Sequence, residues 1–61
     1  MTDQAKLKRI EDYNLITMLK YLMAWVSDAP SNVVILDILI GFDTDYQVWA
    51  ATIYYSGETN E

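Results

Sequence analysis

From Leu15 to Val26 the chain is apolar at every position except Thr17 and Lys20. Projected at 100° per residue, Leu7, Leu15, Met18, Leu22, Trp25 and Val26 share one face. Leu19, Met23 and Ile16 continue that face on one side, and Ile10 and Tyr21 flank it on the other. The consistently polar stripe is narrow: Lys6, Tyr13, Thr17 and Lys20. Asp3 is a fitting N-cap, Pro30 closes the segment, and no Gly or Pro lies between. The pattern predicts one long helix over residues 3–27. A surface helix shows an apolar stripe a little over 100° wide. This one is about twice as wide in its second half, so it calls for cover from two directions. Leu15, Met18, Leu22, Trp25 and Val26 are therefore the candidate self-association residues.

After the turn chemistry of "DAPSN" the period changes. "VVILDILIGF", residues 33–42, holds five β-branched residues and a single acid, Asp37. "FDTD" follows, then "YQVWAATIYY", rich in aromatics. This is hairpin sequence, with strands predicted at 32–42 and 46–55 and a frayed tail at 56–61. On a strand, Val34, Leu36, Ile38, Ile40 and Phe42 share an apolar face, and Asp37 falls on the other. The expected register sets Phe42 opposite Gln47, Ile40 opposite Trp49, Ile38 opposite Ala51, Leu36 opposite Ile53 and Asp37 opposite Thr52. It puts Trp49 and Ile53 in the core and makes Asp37 a marker of register and solubility. The predicted fold is α+β in one domain, residues 1–61, with the helix packed on a two-stranded antiparallel hairpin. A second subunit would complete the sheet or the helix packing. The alternative is an all-α array of three helices. In it, Ser31 caps a helix ending at Gly41, and Asp45 caps another ending at Gly57.

Size sharpens the picture. A chain of 61 residues buries about 60% of its unfolded surface and needs a staple or a partner. It has no cysteine and no histidine, which removes disulfides, thiolate metal sites and the commonest general base. Yet 52% of its residues are hydrophobic. The excess reads as interface, and a homodimer is expected. Net charge is −5, and all four basic residues, Lys6, Lys8, Arg9 and Lys20, lie in the first twenty positions. Residues 21–61 hold six acids and no base. Direct nucleic-acid binding is not expected of such a chain. No secretory signal and no apolar run of membrane-spanning length is visible, so the expected setting is cytoplasmic.

Candidate chemistry is sparse. There is no Gly-rich phosphate loop, since Gly41 and Gly57 are isolated, and no nucleophile–base pair. Asp43 and Asp45 in "DTD" read as turn formers before they read as cation ligands. No enzyme activity, cofactor or metal is expected. The aromatic residues Tyr46, Trp49, Tyr54 and Tyr55 suit strand packing, a binding hot spot, or a stacking site for a nucleotide. In that last case Lys6, Lys8 or Arg9 of a second subunit would supply the cation. The stretch "YQVWAATIYYSGETNE" resembles the C-terminal strand of the phage uracil-DNA glycosylase inhibitors. The matching positions are Tyr46, Trp49, Ala50, Ile53, Gly57 and Glu58, about a quarter of the chain. That family's acidic Glu-Ser-Ile element is absent. The resemblance implies a phage-type inhibitor that presents carboxylates, acting in the host cytoplasm. The leading expectation is a small acidic oligomer that binds and inhibits a larger protein, through Asp37, Asp43, Asp45, Trp49 and Tyr54. Nucleotide sequestration at a subunit interface and a purely structural oligomer are the alternatives.

Overall fold

The computed structural model describes residues 5–58. Strand β1 spans Lys6–Asp12, helix α1 Leu15–Asp28, strand β2 Val34–Asp43 and strand β3 Val48–Ser56. The sheet order is β1-β3-β2, and β3 is antiparallel to both neighbours. The fold is α+β as expected, but neither the two-stranded hairpin nor the three-helix array describes it. Residues assigned above to those two further helices are β2 and β3, where β-branched and aromatic side chains suit a pleated surface.

The main correction lies in residues 6–12, which are strand and not the first turns of a helix. Two causes act together. Locally, Asp12 and Asn14 offer the backbone side-chain partners that compete with a continuing helix. The Asn14 amide donates to Asp12 Oδ2 at 2.8 Å, and Asn14 Oδ1 accepts from the Thr17 amide at 3.0 Å. Asn14 has extended backbone and caps α1, so the helix starts at Leu15. At longer range, β3 carries no charge and needs a neighbour on each edge. β1 supplies one, with Ile10 opposite Ala51 and packed against the core. The expected cap Asp3 lies outside the described residues.

The β2–β3 register also differs. Phe42 pairs with Trp49, Ile40 with Ala51 and Ile38 with Ile53, a shift of two residues from expectation. Asp37 therefore faces Tyr54 and not Thr52. The hairpin closes at Asp43 and Val48 around a loop of Thr44–Gln47. Asp43 Oδ1 accepts from the amides of Asp45 at 2.9 Å and Tyr46 at 3.2 Å, which tightens the turn. Gln47 takes the left-handed backbone, φ 54°, that completes it. A shift of two keeps every face, so Trp49, Ala51 and Ile53 still point towards the helix. A bulge between Ile35 and Asp37 then changes which residues join them. Val33 and Ile35 pack on the core, while Val34 and Leu36 are exposed.

Met18, Ala51 and Ile53 are fully buried, and Leu22 and Tyr55 nearly so. The Trp25 and Tyr55 rings meet edge-on at 5.1 Å. Helix α1 lies over β1 and β3, and no Cα of β2 comes within 8 Å of its own. A helix is about 10 Å wide and strands lie about 4.8 Å apart, so one helix roofs roughly two strands. At the far end of the sheet the predicted fray does not begin at Ser56, which is the last residue of β3. Next to it, Gly57 has φ 100°, and a side chain there would run into the Asn32 carbonyl oxygen. The Lys6 ammonium donates to the Gly57 carbonyl. Residues 59–61 lie outside the described residues.

Two substitutions test this architecture. Gly57→Ala should lower unfolding free energy by at least about 1 kcal/mol, because only glycine tolerates this backbone without strain. Asn14→Ala should cost about 1 kcal/mol through loss of the helix cap. Urea unfolding followed by circular dichroism measures both.

Candidate functional site

The fold sorts the sequence-predicted site residues onto different surfaces. Trp49 lies on the helix side, its ring edge-on to Phe42 at 5.3 Å. Asp37 and Tyr54 are paired neighbours on the opposite face. Asp43 and Asp45 sit at the β2–β3 turn. They do not form one site, and the aromatic residues do not converge into a stacking pocket. Of the expected self-association residues, Met18 and Leu22 are buried in the chain's own core. Leu15 and Trp25 pack against it, and Val26 is partly exposed. The large side chains left in the open on α1 are Ile16, Tyr21 and Met23, with Val26 less so.

What the fold does bring together is one end of the sheet. The end of β1, the start of α1 and the β2–β3 turn all meet there, because Asp12 pairs with Trp49, which pairs with Phe42. Four carboxylates gather in these segments: Glu11, Asp12, Asp43 and Asp45. Two tyrosines stand among them, Tyr13 at 82% exposure and Tyr46 at 73%. Glu11, Tyr13, Tyr46 and Val48 line an open depression of about 280 Å³. Glu11 and Asp12 are not singled out in the sequence, and Tyr13 reads only as part of the helix's polar stripe, because a helical reading scatters them round a cylinder. The one available signal was the cap formed by "DYNLIT".

Arg9 answers two of these acids. Arg9 Nη2 lies 3.0 Å from Glu11 Oε2 and 3.0 Å from Asp43 Oδ2, tying β1 to β2 across the face of β3. The Arg9 guanidinium is held above its ordinary pKa, first by the hydrogen bond to Glu11. Desolvation works against this, while the charges of Glu11 and Asp43 add to it. It stays charged at any working pH. Ala50 and Gly41 beneath it are small, and a second open depression, about 320 Å³, is lined by Arg9, Leu39, Gly41, Asp43, Ala50 and Thr52. Both oxygens of Asp43 are already engaged, so "DTD" is a turn device. Among the described residues, no cluster of acids is placed to hold a metal ion, and no helix is long and apolar enough to cross a membrane.

A second surface is apolar. Strand β2 is an edge strand, and Val34, Leu36, Ile38, Leu39, Ile40 and Phe42 are all exposed. The other edge, β1, reads "KLKRIED" and is protected by charge. No family model, curated protein or solved structure matches the chain.

Asp43 and Asp45 separate structural from surface roles. Asp43→Ala should destabilise by about 1–2 kcal/mol, since two turn amides lose their acceptor. Asp45→Ala should stay within about 0.5 kcal/mol. Paired denaturation curves give the comparison.

Proposed function

We propose that the chain is a non-catalytic binding protein that blocks a basic surface on a larger protein, using its acidic, tyrosine-bearing end. The observation that carries this reading is the exposure of Tyr13 and Tyr46, which line one depression with Glu11, at the sheet end where Asp12, Asp43 and Asp45 also lie. Tyrosine gives contact area at low entropic cost and is enriched among binding hot spots. An exposed tyrosine in a monomer has no packing reason to be there, and two of them share one depression. The carboxylates outnumber the single guanidinium beside them, so the field at this end is negative. Such a field steers a basic partner and rejects an acidic one. An inhibitory role fits a small domain whose depressions at Arg9 and at Tyr13 and Tyr46 are open, with room to cover a partner's site but little to enclose a substrate.

The immobilised chain should retain a basic protein from lysate, and salt should weaken that retention. The double variant Tyr13→Ala/Tyr46→Ala should lose it, by about 2 kcal/mol or roughly 30-fold per hot-spot residue. Its circular dichroism should be unchanged. Retention equal for both forms, or indifferent to salt, contradicts the proposal, as does failure to retain any protein.

A further inference from the structure

We infer that the open edge of β2 pairs with β2 of a second copy, antiparallel about a two-fold axis at Leu39, to give a continuous six-stranded sheet. The edge is ten residues long and carries one charge before its terminal Asp43. A long apolar edge with unpaired amides and carbonyls is a template for another strand. Its chemistry is self-complementary, because an antiparallel strand meets its own copy with identical spacing of donors and acceptors. The opposite edge, with Lys6, Lys8, Arg9, Glu11 and Asp12, offers no such match.

The parity of the edge follows from one hydrogen bond. The Ile38 amide donates to Asp37 Oδ1 at 2.9 Å. That amide is therefore turned away from the β3 ladder and towards the open edge. Alternation then turns Ile40 and Phe42 outward as well, and Leu39 and Gly41 inward to β3. Registers that bring outward groups face to face centre on Ile38, Leu39 or Ile40.

Charge and space choose among the three. Centring on Ile40 sets Asp37 against Asp43 of the second copy, a like-charge clash. Centring on Ile38 sets the carboxylate against the side chain of Leu39. Centring on Leu39 sets Asp37 opposite Gly41, where a side chain would meet nothing within 4 Å. The depression beside Gly41 is lined by Arg9, which bridges Glu11 and Asp43 and would be shared with the incoming carboxylate. The same register pairs Leu39 with its copy and Ile38 with Ile40 across the axis, which brings exposed aliphatic side chains together. Asp37 then has two states. In a lone chain it occupies the Ile38 amide and guards the edge. In the pair that amide passes to the Ile40 carbonyl of the second copy and the carboxylate moves to Gly41. The two acidic ends point in opposite directions and stay open, so this inference does not rest on the function proposed above.

The full chain has no cysteine, which makes crosslinking clean. At a non-hydrogen-bonded antiparallel pair the two Cα atoms lie about 4.5 Å apart, within disulfide range. Leu39→Cys should therefore close a symmetric disulfide on mild oxidation. It should do so on the order of tenfold faster than Val34→Cys, which is equally exposed but off the axis. Sedimentation in the micromolar range should give twice the 7.1 kDa monomer mass. Ile40→Lys should return it to monomer with an unchanged circular dichroism spectrum. A monomer throughout that range overturns the inference. So does a dimer that survives Ile40→Lys, or one in which Leu39→Cys oxidises no faster than Val34→Cys, since pairing would then lie on the helix or the far sheet face.

Discussion

Strand β3 carries no charged side chain from Val48 to Ser56, and one of its faces is covered and both its edges are paired. One face puts Ala51, Ile53 and Tyr55 under Met18, Leu22 and Trp25 of α1. The other holds Ala50 and Thr52 beside Arg9 and above no second layer. Such a strand cannot stand at an edge without exposing apolar surface and unpaired amides to water. Pairing it on both sides is the constraint from which the rest of the molecule follows. It takes residues 6–12 out of the helix and makes them β1. It also moves the two open edges of the sheet to β1 and β2, which differ sharply in charge.

Helix α1 then sets the exposure. Its fourteen residues give a cylinder about 21 Å long and about 10 Å across, wide enough to roof two strands. The turn at Tyr13 and Asn14 is tight, so the helix begins above the end of β1 and stays over β1 and β3. β2 is left without a roof, and its helix-side residues Ile38, Ile40 and Phe42 meet solvent beside the core they belong to. The hydrophobic excess of the composition is therefore concentrated on one strand. The same tight turn at Asn14, together with the Asp43 turn, carries Tyr13 and Tyr46 to one end with the acids. A sheet edge and a sheet end thus become two separate candidate surfaces.

Much of this was legible in the sequence, and the rest was hidden for identifiable reasons. The apolar run from Leu15 gave the helix and its buried residues Met18 and Leu22, since 3.6-residue periodicity is strong there. β-branched and aromatic enrichment gave the hairpin, and alternation put Trp49 and Ile53 inward and Asp37 outward. β1 was not legible because "KLKRIED" is only seven residues and contains no Gly or Pro, so it continues a helical wheel as easily as it alternates. Its state is decided by β3, more than thirty residues away. The lack of charge in β3 was the available clue that it lies centrally. The bulge at Leu36 left no sequence signal, and it swapped Val34 and Leu36 for Val33 and Ile35 on the core face. The acidic end could not be seen without β1, because only the β1–β3 pairing brings Glu11 and Asp12 beside the hairpin turn.

Amide hydrogen exchange resolved by residue in dilute solution tests the central place of β3 most directly. Amides of β3 on both of its edges, from Ala50 to Tyr55, should be among the slowest in the molecule. In β1 and β2 protection should alternate, with Ile38, Ile40 and Phe42 fast and Leu39 and Gly41 slow. Unbroken helical protection running from residues 6–12 into Leu15, or a β3 protected along one edge alone, would contradict the account.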